Sequence, residues 1–335
     1  MKILDNLFYI GVDDCELDLF EGQYLLPKGM TYNSYVLLDE EITVLDTVEH
    51  HFGDVWMENL TKVLDGKSPK YLVIHHMEPD HSSSLDVFVS KYPEAIIVGN
   101  KRTIQMAEQF FPEIDFSKRF LEIKEGDTLN LGKTNLKFYF APMVHWPEVF
   151  MSYDEVNKVL FTADAFGKFG VLKYDDEWTP EARRYYFGII GKFGKQVQSL
   201  LNKVKDLDIQ IICSLHGPVL TENISHYVGL YDKWSKYDYE EDGVLVAYTS
   251  MYGNTKAAAE LAYNELIKAG VKAEIFDLAR NNFLDVMPLA FKYSKLLLAS
   301  PSYNAGILPF METFINSLTG RNYQKRQVAI IENGS

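Results

Sequence analysis

A chain of 335 residues is long enough for two domains with large cores, and 47% hydrophobic with 24% charged residues is an ordinary globular composition. No apolar run reaches eighteen residues, which argues against a membrane span, and a net charge of −14 disfavours nucleic acid and anionic membrane as partners. Two cysteines, Cys15 and Cys213, exclude a disulfide framework, a Cys-rich zinc site and a Cys-ligated iron–sulfur cluster. The segment Met1–Phe8 lacks the apolar core of a secretory signal, so a reducing cytoplasm is the expected compartment.

The first half predicts many short strands, at Tyr35–Asp39, Ile42–Asp46, Tyr71–Ile74, Ala95–Val98, Leu136–Phe140, Val159–Thr162 and Ile209–Cys213. The run His75-His76-Met77-Glu78-Pro79-Asp80-His81 follows the third of them and packs four potential metal ligands into six residues, at His76, Glu78, Asp80 and His81. Residues 76, 78 and 80 alternate, so extended backbone puts them on one face, and Pro79 argues against a helix interior. One metal cannot easily use all four side chains, so the run suits a two-metal site. By the same alternation His75 points away, and His50, His51 and His226 read as structural or surface residues. Helical patterns cover 102–111 and 180–204, the latter with Pro180 near its start.

Further candidate ligands follow other strands: His145 in Ala141-Pro-Met-Val-His-Trp-Pro-Glu148, Asp164 in Phe161-Thr-Ala-Asp-Ala-Phe-Gly167, and His216 in Cys213-Ser-Leu-His-Gly-Pro218. Singly, each has a bland reading as a hydrogen-bonded histidine or a turn aspartate. Together they place polar residues at strand ends, where loops on a rigid scaffold carry function.

A polar, Tyr-rich stretch at 231–243 reads as a boundary between domains at 1–240 and 244–335. Beyond it, Val244–Tyr248 is a buried-type strand, 249–255 a polar loop, and 256–268 a helix with Gly270 at its C-terminal cap. Strands at Ala273–Phe276, Leu296–Ala299 and Val328–Ile331 complete an alternating α/β pattern, which implies a doubly wound parallel sheet.

The order His-x-Glu-x-Asp-His, then His, Asp and His, resembles the metal site of the flavodiiron proteins, which share the metallo-β-lactamase fold. The intervals of 64, 18 and 51 residues agree, as do Thr31-Tyr-Asn-Ser-Tyr35 and the Trp-Pro-Glu after His145. The resemblance implies an αββα sandwich in which His76, Glu78 and His145 bind the iron nearer the flavin. Asp80, His81 and His216 would bind the second iron. Asp164 would bridge the two, with a hydroxide or oxo group. Related hydrolases carry His at the position of Glu78, which suits zinc. Here three carboxylates join four imidazoles, and hard oxygen ligands favour ferric iron.

Thr249-Ser250-Met251-Tyr252-Gly253-Asn254-Thr255 lies between a strand and a helix, where hydroxyls and N–H groups make an anion site. It lacks the nucleotide P-loop and dinucleotide glycine patterns and resembles the flavodoxin loop that holds the FMN phosphate. Ser300-Pro301-Ser302-Tyr303-Asn304-Ala305-Gly306 resembles the family's isoalloxazine loop, and Asn333-Gly334 falls where a third flavin loop is expected. A flavodoxin-like domain of about 92 residues that stops at Ser335 is expected to be C-terminally incomplete, short of a helix, a fifth strand and a closing helix.

The resemblance spans essentially the whole chain. It implies a diiron flavoprotein that reduces O2 to water or NO to N2O, with electrons passing from a rubredoxin-like or reduced deazaflavin (F420H2) donor through FMN. It also implies a head-to-tail homodimer, possibly a tetramer, that brings the FMN of one chain to the diiron site of the other. Two alternatives stand against this. A zinc-dependent hydrolase is disfavoured by Glu78 and the flavin loops, and a non-catalytic FMN electron carrier by the filled ligand positions.

Overall fold

Short apolar strands buried on both faces can be satisfied only between layers, and that is how the first half folds. The computed structural model describes residues 1–174 and 177–334, so Ser335 of the third flavin loop lies outside the described residues. The first sheet runs through Leu7–Tyr9, Tyr35–Leu37, Thr43–Leu45, Tyr71–Val73, Ile96–Gly99 and Phe120–Glu122, antiparallel at first and then parallel. Val44 pairs with Leu72 and Leu72 with Ile97, which keeps the last strands in one register. The second sheet runs through Thr128–Asn130, Asn135–Phe140, Phe150–Asp154, Val159–Phe161 and Ile211–Cys213, with only its last pair parallel. Leu37, Leu45, Val73 and Val98 of the first sheet share one core with Phe138, Phe150, Phe161 and Cys213 of the second. The two faces thus form the expected sandwich.

The helix Lys101–Phe110 begins at Asn100, whose side chain accepts from the N–H groups of Arg102 and Thr103 while Thr103 Oγ1 accepts from the Asn100 N–H. The long helix expected over 180–204 is broken. An α-helix at Trp178–Tyr185 passes into a π-turn at Tyr186–Ile190 and a 3-10 turn at Gly191–Phe193, then resumes at Gly194–Val204. Gly188, Gly191 and Gly194 are weak helix formers. A Cβ on Gly194 would lie 2.4 Å from the Ser235 carbonyl oxygen, so packing rather than propensity sets the local path.

The chain divides into two compact units, Met1–Ala182 with Gln196–Val228, and Arg183–Lys195 with the chain from Gly229 onward. The sequence expectation set the boundary at 240–244. The second unit starts earlier because the Tyr231 and Trp234 rings pack on Tyr186, at 5.0 and 5.3 Å. Its parallel sheet has the order Ala273–Asp277, Glu241–Tyr248, Tyr293–Tyr303, Gln327–Asn333. Strand order therefore reverses at Glu241–Tyr248, and the crevice beyond the C-terminal ends there is where doubly wound sheets bind ligands. Among the described residues no helix is long and apolar enough to cross a membrane.

Candidate metal centre and flavin loops

Five strand ends deliver the site. Asp46 follows Thr43–Leu45, His76 follows Tyr71–Val73, and His145, Asp164 and His216 follow strands of the second sheet. Strand termini on a shared core hold their first loop residues rigidly, so side chains from distant sequence positions converge. One expectation fails locally. Pro79–Ser82 is a short helix, so Asp80 and His81 sit in a helical turn and not on extended backbone. Proline at the first helical position has no N–H to lose and its fixed φ suits a helix start. The turn sends Glu78, just before it, and Asp80, inside it, to different groups.

All seven predicted ligands are gathered. His76, Glu78, His145 and Asp164 form one group and Asp80, His81 and His216 a second, with candidate ligand atoms within 4.8 Å of one another in each. His76 Nε2 lies 3.1 Å from Glu78 Oε2 and 3.2 Å from His145 Nε2. In the second group His81 Nε2 lies 3.0 Å from His216 Nε2. Asp164 turns one oxygen to each group: Oδ2 is 3.0 Å from His145 Nε2, and Oδ1 is 3.2 Å from His81 Nε2.

Residues that motif spacing did not reveal hold these rings. Glu148 Oε1 lies 2.7 Å from His76 Nδ1 and accepts from the Met77 N–H at 2.9 Å. His216 Nδ1 donates to the Thr31 carbonyl at 2.6 Å. His75, as expected, faces elsewhere, between Asp46 Oδ2 at 2.6 Å and Ser152 Oγ at 2.7 Å. Asp46 and Ala163 beside the site hold left-handed φ values of 56° and 50°. Each costs about 1–2 kcal/mol for an L-residue, and in Asp46 the N–H of His75, at 2.7 Å, helps to hold the strained turn. The only sequence signals were that Asp46 also follows a strand and that Glu148 closes the Trp-Pro-Glu segment.

Charge density in this buried cluster displaces its titrations. Burial alone would lower the His145 imidazole, but Asp164 and Glu78 outweigh it and push it up to about 9 from 6.5. Burial likewise opposes protonation of His76, yet Asp164, Glu148 and Glu78 hold it well above its usual value. Asp164 and Glu78 are held low: burial would raise them, and the facing histidines prevail. A histidine raised on folding contributes stability that is complete below its unfolded value and is lost as pH rises through the folded one. For His145 that window runs from 6.5 to about 9. Metal ligation needs the neutral ring, so metal uptake by the metal-free protein at pH 7 is expected to release protons, with the His145 share vanishing above about 9. Calorimetric titration with Zn(II) in buffers of different ionisation enthalpy measures the release; none at pH 7 would contradict the assignment.

In the second unit, the loop after Glu241–Tyr248 leads into the helix Asn254–Lys268, with Gly253 at φ 91° as the N-cap. Thr249 Oγ1 donates to Ser300 Oγ at 3.1 Å, and Asn333 Nδ2 donates to Thr255 Oγ1 at 3.2 Å. A Cβ on Gly334 would fall 1.9 Å from Ser302 Oγ. The three predicted flavin loops therefore adjoin one another. Ser300, Pro301, Ser302 and Gly306 also line a cavity of ≈ 230 Å³. Asn304 and Ala305 form a hairpin tip at φ 48° and 57°, and Tyr252 is 92% exposed at the loop mouth.

Two packed mixed sheets whose strand ends collect histidines and carboxylates, followed by a parallel sheet with a hydroxyl-rich first loop, define a metallo-β-lactamase-like protein with a flavodoxin-like unit. The chain belongs to the ODP family of beta lactamases, whose description matches residues 30–217. It is 28% identical over 344 residues to the anaerobic nitric oxide reductase flavorubredoxin of Vibrio vulnificus, covering 98% of this chain and 69% of that one. The crystal structure of the flavodiiron protein from Giardia intestinalis matches with a TM-score of 0.92 at 24% identity, covering 100% of this chain and 83% of that one. Rubredoxin oxygen:oxidoreductase from Desulfovibrio gigas matches with a TM-score of 0.92 at 24% identity, covering 100% and 86%. The fold is that of the flavodiiron proteins, as the sequence resemblance implied.

Proposed function

We propose that the chain is a flavodiiron oxidoreductase that reduces O2 to water or NO to N2O. The observation that carries this reading is Asp164, whose two oxygens face different groups of ligands, as a bridge between two metals requires. The donor set fits such a pair. Both oxygens of buried Asp80 have no hydrogen-bond partner among the described residues. With Nδ1–H of His76 directed at Glu148 and that of His216 at Thr31, the Nε2 atoms turn inward, toward facing imidazoles. Inward nitrogens and carboxylates so close together are balanced by protons in the metal-free protein and by cations once those protons leave.

In this reading His76, Glu78 and His145 would hold one iron and Asp80, His81 and His216 the other, with Asp164 shared between them. When bound, two irons and FMN supply the electrons: four with four protons take O2 to two waters, and two with two protons take two NO to N2O and water. The protein's part is to fix ligand tautomers and to keep bulk water from the second group. Phe20 and Tyr32 serve the latter, with rings 5.7 and 6.3 Å from that of His216. The Thr249–Thr255 loop and the helix behind it would hold the FMN phosphate, and the loops at Ser300–Gly306 and Asn333–Gly334 the flavin ring. A rubredoxin-type donor suits the names of the relatives, and a reduced deazaflavin is the other donor the resemblance allows. A head-to-tail homodimer completes the electron path between chains.

Elemental mass spectrometry of anaerobically purified protein tests the reading. About two irons per chain with little zinc, followed by O2 or NO consumption with a reduced donor, is the expected result. Two zincs after growth with ample iron would replace it with a hydrolase.

A further inference from the structure

The two groups of ligands differ in what stands behind their imidazoles. Glu148 is fully buried, and its Oε1 takes the His76 Nδ1 contact and the Met77 N–H together. A backbone N–H can only donate, so Oε1 is an acceptor and His76 carries its proton on Nδ1. Glu148 Oε2 is buried with no hydrogen-bond partner among the described residues. The nearby Asp46 carboxylate is committed to His75 and to the backbone. In the second group the backing is neutral: His216 Nδ1 donates to the Thr31 carbonyl, and His81 Nδ1 has no hydrogen-bond partner among the described residues.

We infer that Glu148 is a positioning residue that makes the two metal positions unequal, by fixing the His76 tautomer and adding a third carboxylate beside the group of His76, Glu78 and His145. This rests on the metal-binding reading above. A carboxylate behind a ligating histidine raises the basicity of its free nitrogen, and one more buried carboxylate beside the position favours a cation there. The cation position ligated by His76 is therefore the tighter one and fills first.

The structure supplies an optical reporter for that position. The Trp146 ring meets the His76 ring edge-on at 5.2 Å and the His145 ring at 6.1 Å. Co(II) bound there is expected to quench Trp146 emission, and Trp146→Phe to remove the quenched signal. The experiment titrates Co(II) into metal-free protein with chelator competition, following visible absorbance for total binding and tryptophan emission for the first group.

The wild type is expected to take two equivalents of separable affinity, the tighter one quenching. Glu148→Gln keeps the shape and removes the charge. It is expected to weaken the quenching equivalent by about 10- to 100-fold and to leave the other unchanged. Glu148→Asp restores the charge one methylene short and is expected to recover part of the loss. If Glu148→Gln does not fold, Glu148→Asp decides instead: it must weaken the quenching equivalent alone, and equal effects on both or on neither overturn the inference. Two indistinguishable equivalents in the wild type, or a quenching equivalent untouched by Glu148→Gln, also overturn it and leave the metal reading intact. A wild type that binds no Co(II) overturns the metal reading, and this inference with it.

Discussion

Asp164→Asn is expected to reduce the metal content to one ion per chain or fewer and to lower O2 or NO turnover by more than about 100-fold. The substitution keeps the side chain's shape but replaces one carboxylate oxygen with an NH2 group, which cannot bind a cation. Asp164 Oδ2 faces His145 and Oδ1 faces His81, so whichever way the amide lies, one group loses a ligand and gains a donor aimed at imidazole nitrogen. The metal-free protein also loses charge balance, because Asp164 is the carboxylate that faces histidines of both groups. A carboxylate held low on folding contributes stability above its unfolded value and loses it as pH falls, so the variant is expected to be less stable at neutral pH and to differ least in acid. Breaking a buried ion pair costs about 3–5 kcal/mol, so circular dichroism must first establish that the variant is folded. Elemental analysis and gas-consumption assays then read the result. A folded variant that retained two irons and near-normal turnover would remove Asp164 from the bridging role.

The candidate ligands are legible because a metal site needs particular side chains at strand ends, and both leave marks in sequence. His76, Glu78, Asp80 and His81 stand close together after an apolar run, and His145, Asp164 and His216 each follow another. The geometry of the first run was only half legible. Alternation placed Asp80 beside Glu78, whereas Pro79 opens a helical turn that sends the two to different groups. Pro79 argues only against a helix interior, and at the first helical position it favours a start. Glu148 and Asp46 escaped because their partners are the far side of a ring or a strained backbone turn, which impose no spacing. The break between 185 and 194 and the transfer of Arg183–Lys195 to the second unit follow from close packing of Gly194 on Ser235 and of Tyr186 on Trp234. Such contacts join residues some forty apart, and no local pattern encodes them. The parallel sheet of the second unit, in contrast, came directly from its alternation of strand and helix, because each crossover of that kind has one favoured hand.

Asn254→Asp is expected to weaken FMN binding by roughly 30- to 150-fold while leaving the flavin-free protein as stable as before or slightly more so. Asn254 opens the helix Asn254–Lys268, its side chain is exposed, and the first turn has neither an acidic residue nor a side-chain cap. The unpaired N–H groups and the helix dipole there favour an anion. An aspartate at this position satisfies the dipole by itself and stabilises the helix by about 0.3–1 kcal/mol. Toward a phosphate dianion it acts oppositely: charges about 5 Å apart at an effective dielectric constant near 20 repel by about 3 kcal/mol, which solvent screening reduces to about 2–3 kcal/mol over both phosphate charges. The change is nearly isosteric, so lost affinity cannot be assigned to a damaged fold if the melting temperature holds. Riboflavin, which lacks the phosphate, isolates the effect, since its affinity should be the same for both proteins. Fluorescence titration with the two flavins therefore separates the cases. A selective loss of FMN assigns the phosphate to this helix end, whereas equal loss of both flavins, or unchanged FMN affinity, places the phosphate elsewhere.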